Sequence, residues 1–89
     1  MANARQISRA IGVIIETLKS GVHVWSIGIT NDPEKRREDL KFPPLWKHWP
    51  ANTLYEATIV FEYFTRDLKI QPDTGSEYSR GEKAYVYIF

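Results

Sequence analysis

The chain has 89 residues, 43% of them hydrophobic and 13% aromatic, with 12 Lys and Arg against 11 Asp and Glu. That suits one domain, residues 1–89, whose modest core must be dense in large side chains. The absence of cysteine excludes disulfides and thiolate metal sites, no apolar run approaches the roughly 20 residues of a membrane span, the N-terminus lacks a secretory pattern, and a net charge of +1 is not the footprint of a non-specific nucleic-acid binder, so a soluble cytoplasmic protein without a membrane partner is expected.

Asn3 and Gln6 are spaced as a capping pair. Ile7, Ala10, Ile11, Ile14 and Leu18 then follow the helical period, so a helix is expected from residue 3 to about residue 20, closed by Gly21. Residues 22–30 read as a strand. Val22, Val24, Ser26 and Gly28 share one face, and His23, Trp25, Ile27 and Ile29 the other. Both faces are largely apolar, which predicts a central, covered strand. Ser26 and Gly28 leave one face short of side chain, and something must fill that patch: another backbone, a bulky neighbour or a ligand.

Asp32 and Pro33 make a strong helix start, with Asp32 as cap and Pro33 at the first helical position. This second helix is expected to end near Leu40. The segment KFPPLWKHWP, with three prolines and two tryptophans, reads as a packed irregular loop whose tryptophans cover part of the core. Thr53 and Glu56 have capping-box spacing, opening a third helix that buries Leu54, Ala57, Val60, Phe61 and Phe64 and runs to about Leu68. One more strand could lie hidden near Lys69 and Ile70. QPDTGSEYSRGEK is a polar loop without phosphate-loop spacing. AYVYIF closes the chain as a strand, with Tyr85, Tyr87 and Phe89 on one face and Ala84, Val86 and Ile88 on the other. The expected fold is therefore α+β: a small antiparallel sheet, its central strand at about 22–30 paired with a C-terminal strand at about 83–89, covered by three helices. Two strands alone are marginal, which leaves a homodimer open as a way to complete the sheet.

The stretch WSIGITNDPEKR resembles the second motif of the GIY-YIG nuclease superfamily and the helix after it: a strand ending in Ile27-Gly28, a short turn, and a helix bearing an arginine, here Arg36. The family's first-motif strand does not precede it. The stretch most like that strand, Tyr85 to Phe89, stands at the other end of the chain, so the resemblance is to a rearranged member. A GITNDPE-type turn combined with a YVYIF strand is also similar to small bacterial and phage proteins of unassigned function. The resemblance implies Arg36 on a phosphate, Tyr87 as the first-motif tyrosine, and Mg²⁺ or Mn²⁺ held by a glutamate, Glu62 or alternatively Glu56, for phosphodiester hydrolysis. Ser26 stands where the second-motif tyrosine belongs and cannot replace a phenol as general base. The implied function is binding of, or action on, DNA or RNA with metal-dependent endonuclease activity weak or lost. The alternative is a non-catalytic protein-binding module or small regulator on the same scaffold.

Arg37, Trp46, Lys47 and His48 are the candidate contacts to nucleic acid or to a protein partner, since cations beside aromatic rings suit a base or sugar. Each has a plain structural reading as well. The arginines could pair with Glu34 or Glu38, and the aromatic group could plug the core. Lone His23 is better explained by packing or hydrogen bonding than by catalysis.

Overall fold

The computed structural model describes residues 3–17, 24–73, 78–79 and 82–89. Helix α1, Ala4–Thr17, opens on the expected reciprocal cap: Gln6 N donates to Asn3 Oδ1 (2.9 Å), and Asn3 N donates to Gln6 Oε1 (3.0 Å). Strand β1, Ser26–Thr30, leads through a short turn into helix α2, Pro33–Asp39. There Asp32 caps by accepting from Lys35 N (3.1 Å), and Pro33 occupies the first turn. The helix-ending role expected of Gly21 and the faces assigned to Val22 and His23 fall outside the described residues.

Two strands lie where loop was expected. Lys47–Pro50 is strand β2, and Gln71–Pro72 is a short strand, β3, just after the position suspected at 69–70. With β4, Tyr85–Ile88, they complete a four-stranded mixed sheet in the order β2-β4-β1-β3. The pairing expected of the C-terminal strand is present: β4 runs antiparallel to β1, with Gly28 opposite Tyr87 and Ile27 opposite Ile88. It also runs antiparallel to β2, with His48 opposite Tyr87 and Trp49 opposite Val86. β3 lies parallel to β1. The prolines that made KFPPLWKHWP read as irregular do not prevent a strand, because β2 lies at the sheet edge, where a residue without an N–H is tolerated.

Helix α3, Leu54–Glu62, is capped by Thr53, whose hydroxyl accepts from Glu56 N (3.1 Å). The Glu56 carboxylate does not complete the box. It accepts instead from Ala4 N at 2.6 Å, supplying a free donor at the start of α1 and joining the two helices. A π-helical turn, Tyr63–Asp67, extends α3, and Lys69, at a φ of 58°, turns the chain back toward β3.

The core lies on one face of the sheet. Ile27 and Ile29 of β1, Val86 and Ile88 of β4, Ile7 and Ile11 of α1, and Ala57, Val60 and Phe64 of α3 form one buried cluster, with Trp25 at its margin. Full burial of each large aliphatic side chain contributes about 1.5–3 kcal/mol. α1 and α3 thus cover this aliphatic face, while α2 belongs to the opposite, aromatic face. Among the described residues no helix is long and apolar enough to cross a membrane.

Candidate functional site

The opposite face carries the alternate residues of the same strands, and these assemble a polar site. The register sets Tyr87 of β4 level with Gly28 of β1 and His48 of β2. Asp73 N donates to Ile27 O (2.8 Å), which carries the parallel pairing one residue past Pro72 and brings Asp73 level with Gly28. Asp73, Gly28, Tyr87 and His48 therefore form one row across the sheet.

β3 and β4 flank β1 and so stand roughly 10 Å apart. The Tyr87 hydroxyl nevertheless donates to Asp73 Oδ2. To do so the phenol ring must lie across position 28, where glycine presents no side chain. The patch left bare by Gly28 is filled by its cross-strand tyrosine.

Arg36 closes the group. Its Nε donates to Tyr87 Oη (3.2 Å) and Asp73 Oδ2 (3.1 Å), and its Nη2 donates to Asp73 Oδ2 (2.7 Å) and Oδ1 (3.0 Å). The Arg36 and Asp73 side chains are only 17% and 10% exposed. Burial disfavours the guanidinium charge, but the hydrogen bonds to Asp73 and Tyr87 outweigh it, and the Arg36 pKa is raised above its ordinary value. The expected pairing of Arg36 with Glu34 or Glu38 is replaced by this longer-range contact.

Trp46 roofs the site. Its ring stacks on Tyr87, with centroids 4.8 Å apart and planes at 15°, and Phe89 continues the stack. Its Nε1 donates to His48 Nδ1 at 2.8 Å, which fixes that nitrogen of His48 as an acceptor. Trp46 and Tyr87 are both buried. Tyr87 therefore reaches Arg36 and Asp73 through its hydroxyl alone, from inside the molecule.

The remaining expected residues are spread out. Ser26 lies on the same face, but its backbone pairs with Phe89, two residues beyond Tyr87. Lys47 is exposed at the start of the edge strand. Arg37, half-buried, leaves the Arg36 group and stands over Phe42. Glu62 is exposed on α3 and pairs with Arg66 at 3.5 Å, and Glu56 is committed to Ala4. Both glutamates belong to the helix on the aliphatic face, so they do not join Arg36 and Tyr87 in the donor set that the resemblance implies for a divalent metal. Among the described residues no three His, Asp or Glu side chains gather as a metal group.

Asp73 is the site residue that sequence reasoning missed. It sits in a polar stretch read as connection, and nothing local distinguishes it. Only the fold gives it away: Asp73 directly follows β3, and side chains at the C-terminal ends of parallel strands commonly face a site.

Beside the Arg36 group opens a polar cleft of about 230 Å³. Lys35 and Arg36 line it together with Asp32 and Asp39. Arg36 Nη1 takes no part in the bonds to Asp73 and Tyr87. Asn31 holds the far wall in place: its Oδ1 accepts from Ser79 N (2.5 Å) and its Nδ2 donates to Lys83 O (3.0 Å). Compared with family models, with curated proteins and with solved structures, the chain shows no match.

Proposed function

We propose that this domain binds nucleic acid on a scaffold like that of the GIY-YIG nucleases, with phosphodiester cleavage weakened or lost. One observation carries the reading. Arg36 and Tyr87 lie 51 positions apart in sequence, yet the hydroxyl of one and the guanidinium of the other meet at 3.2 Å beside an open cleft. That is the pair the family resemblance calls for, brought together by a strand from the far end of the chain. The weakening follows from the same geometry. Asp73 takes up Nε and Nη2 of the arginine and the proton of the tyrosine, Ser26 replaces a phenol, and the two glutamates lie on the other face.

The test is binding of labelled DNA and RNA oligonucleotides, with and without Mg²⁺ or Mn²⁺, by the wild type and by Arg36→Lys. The lysine keeps the charge but not the planar fork. The wild type should bind in a salt-dependent manner with little cleavage, and Arg36→Lys should bind several-fold more weakly. Absence of binding to every oligonucleotide sinks the proposal, and rapid metal-dependent cleavage sinks its second half.

A second reading has its own support. Tyr55, Ile59 and Tyr63 recur at helical spacing along the outer side of α3 and its π extension and are 73%, 40% and 44% exposed. Such a stripe suits a protein contact. A protein that binds no oligonucleotide would leave this stripe as its functional surface.

A further inference from the structure

Trp46 covers the polar group from just outside the sheet. It stands one residue before β2, and its backbone N–H reaches Pro43 O at 3.3 Å. Two contacts set the position of its ring: the stack on Tyr87 and Phe89, and the bond from Nε1 to His48 Nδ1. The indole is buried, so His48 supplies the acceptor that its N–H needs.

Because Nδ1 accepts, the neutral imidazole carries its proton on Nε2. A second proton can enter only at Nδ1, the atom that holds Trp46. The imidazolium then has an N–H at both nitrogens and no acceptor. Turning the ring over brings a C–H or the other N–H to the same place, so no orientation of the charged ring keeps the bond. His48 is half-buried on an edge strand, within reach of solvent protons. Trp46 is then left with a buried donor unmet, which costs at least as much as an aromatic stack gains.

The groups around His48 are tyrosines and cations. On β4, the Tyr85 ring meets it edge-on at 5.9 Å, Tyr87 lies opposite it in the register, and Lys83 Nζ stands 5.8 Å from the Tyr85 ring. Lys47 precedes it on its own strand, and Arg36 of α2 reaches the Tyr87 hydroxyl. Asp73 beyond is taken by Arg36 and Tyr87. Among the described residues no carboxylate bonds or pairs with His48, so nothing there offers an imidazolium the ion pair that would hold it in place.

We propose that His48 is a proton-operated latch on Trp46. Uptake of a proton at Nδ1 breaks the bond, the indole turns off the Tyr87 stack to give its N–H to water, and the roof over Arg36, Tyr87 and Asp73 opens. The device goes beyond the nucleic-acid reading and does not depend on it, since it needs only the protein and acid.

The experiment follows near-ultraviolet circular dichroism and the indole N–H signals in nitrogen-correlated NMR spectra from about pH 8 to about pH 5, the range in which histidine charges. Trp46→Phe identifies the Trp46 contribution to each, and far-ultraviolet circular dichroism monitors the fold. The wild type should lose most of the Trp46 contribution reversibly as the pH falls, with the far-ultraviolet spectrum unchanged. His48→Asn sets an acceptor oxygen where Nδ1 stood and does not titrate, so it should show no such loss. His23→Asn, which removes the chain's other histidine, should respond as the wild type does. In the wild type alone, the His48 ring-proton signal and the Trp46 indole signal should titrate with one midpoint. A Trp46 contribution that stays flat, a loss that persists in His48→Asn or vanishes in His23→Asn, different midpoints for the two signals, or a far-ultraviolet change in step with the near-ultraviolet one would each overturn the proposal.

Discussion

On one face of the sheet Ile27, Ile29, Val86 and Ile88 meet α1 and α3. On the other, Tyr87 and Phe89 stack with Trp46, Tyr85 meets His48, and Arg36 bonds to the Tyr87 hydroxyl. The two faces share every strand and differ only in parity along it. The aliphatic face is held by area and volume, which are non-directional, so its residues can exchange for others of similar size. The aromatic face is held by donors and acceptors matched atom by atom. Arg36 gives, Tyr87 accepts and gives, and Asp73 accepts from both. Removing one member leaves the others buried with unmet charge or hydrogen-bonding capacity.

Substitutions can separate these two kinds of cohesion. Ile27→Ala should have the largest effect, about 3 kcal/mol of stability by urea unfolding, because Ile27 is fully buried and the cavity adds to the lost transfer energy. Ile27→Val should recover most of that loss. Asp73→Ala should cost less, about 2 kcal/mol, since the pair it breaks is partly solvated. Here the conservative Asp73→Asn should recover little, whereas the triple change Arg36→Met, Asp73→Leu and Tyr87→Phe, which removes every member of the group, should recover most of it. If Asp73→Asn proves as mild as Ile27→Val, the two faces do not differ in the way described. Gly28→Ala should cost about 1 kcal/mol through crowding against the Tyr87 ring. Its clearer sign would be a changed near-ultraviolet circular dichroism signal from the Trp46–Tyr87 stack. An unaltered spectrum would mean that the phenol does not cross position 28.

The parity of both faces was legible in AYVYIF and SIGIT, because alternation along a strand is a local property of the chain. The caps at Asn3, Asp32 and Thr53 were legible for the same reason. What escaped was non-local. β2 carries proline signals that argue against a strand, and it forms because β4 lies beside it. β3 has two residues and no pattern to read, so its parallel pairing with β1 could not be anticipated, nor could the arrival of Asp73 beside Arg36. The convergence of Arg36 with Tyr87 was expected only from resemblance. Glu56 was expected to cap its own helix and caps another, a choice made by the packing of α1 on α3.

The order β2-β4-β1-β3 has a consequence for how the molecule is made. Residues 85–88 form an inner strand, bonded on both sides to strands that leave the ribosome well before them. Until they emerge, β1 and β2 share no neighbour, and Ile27, Ile29 and Trp49 travel on a nascent chain without their central partner. Sheet and polar cluster are thus completed together, in the step that seats residues 85–88 between β1 and β2.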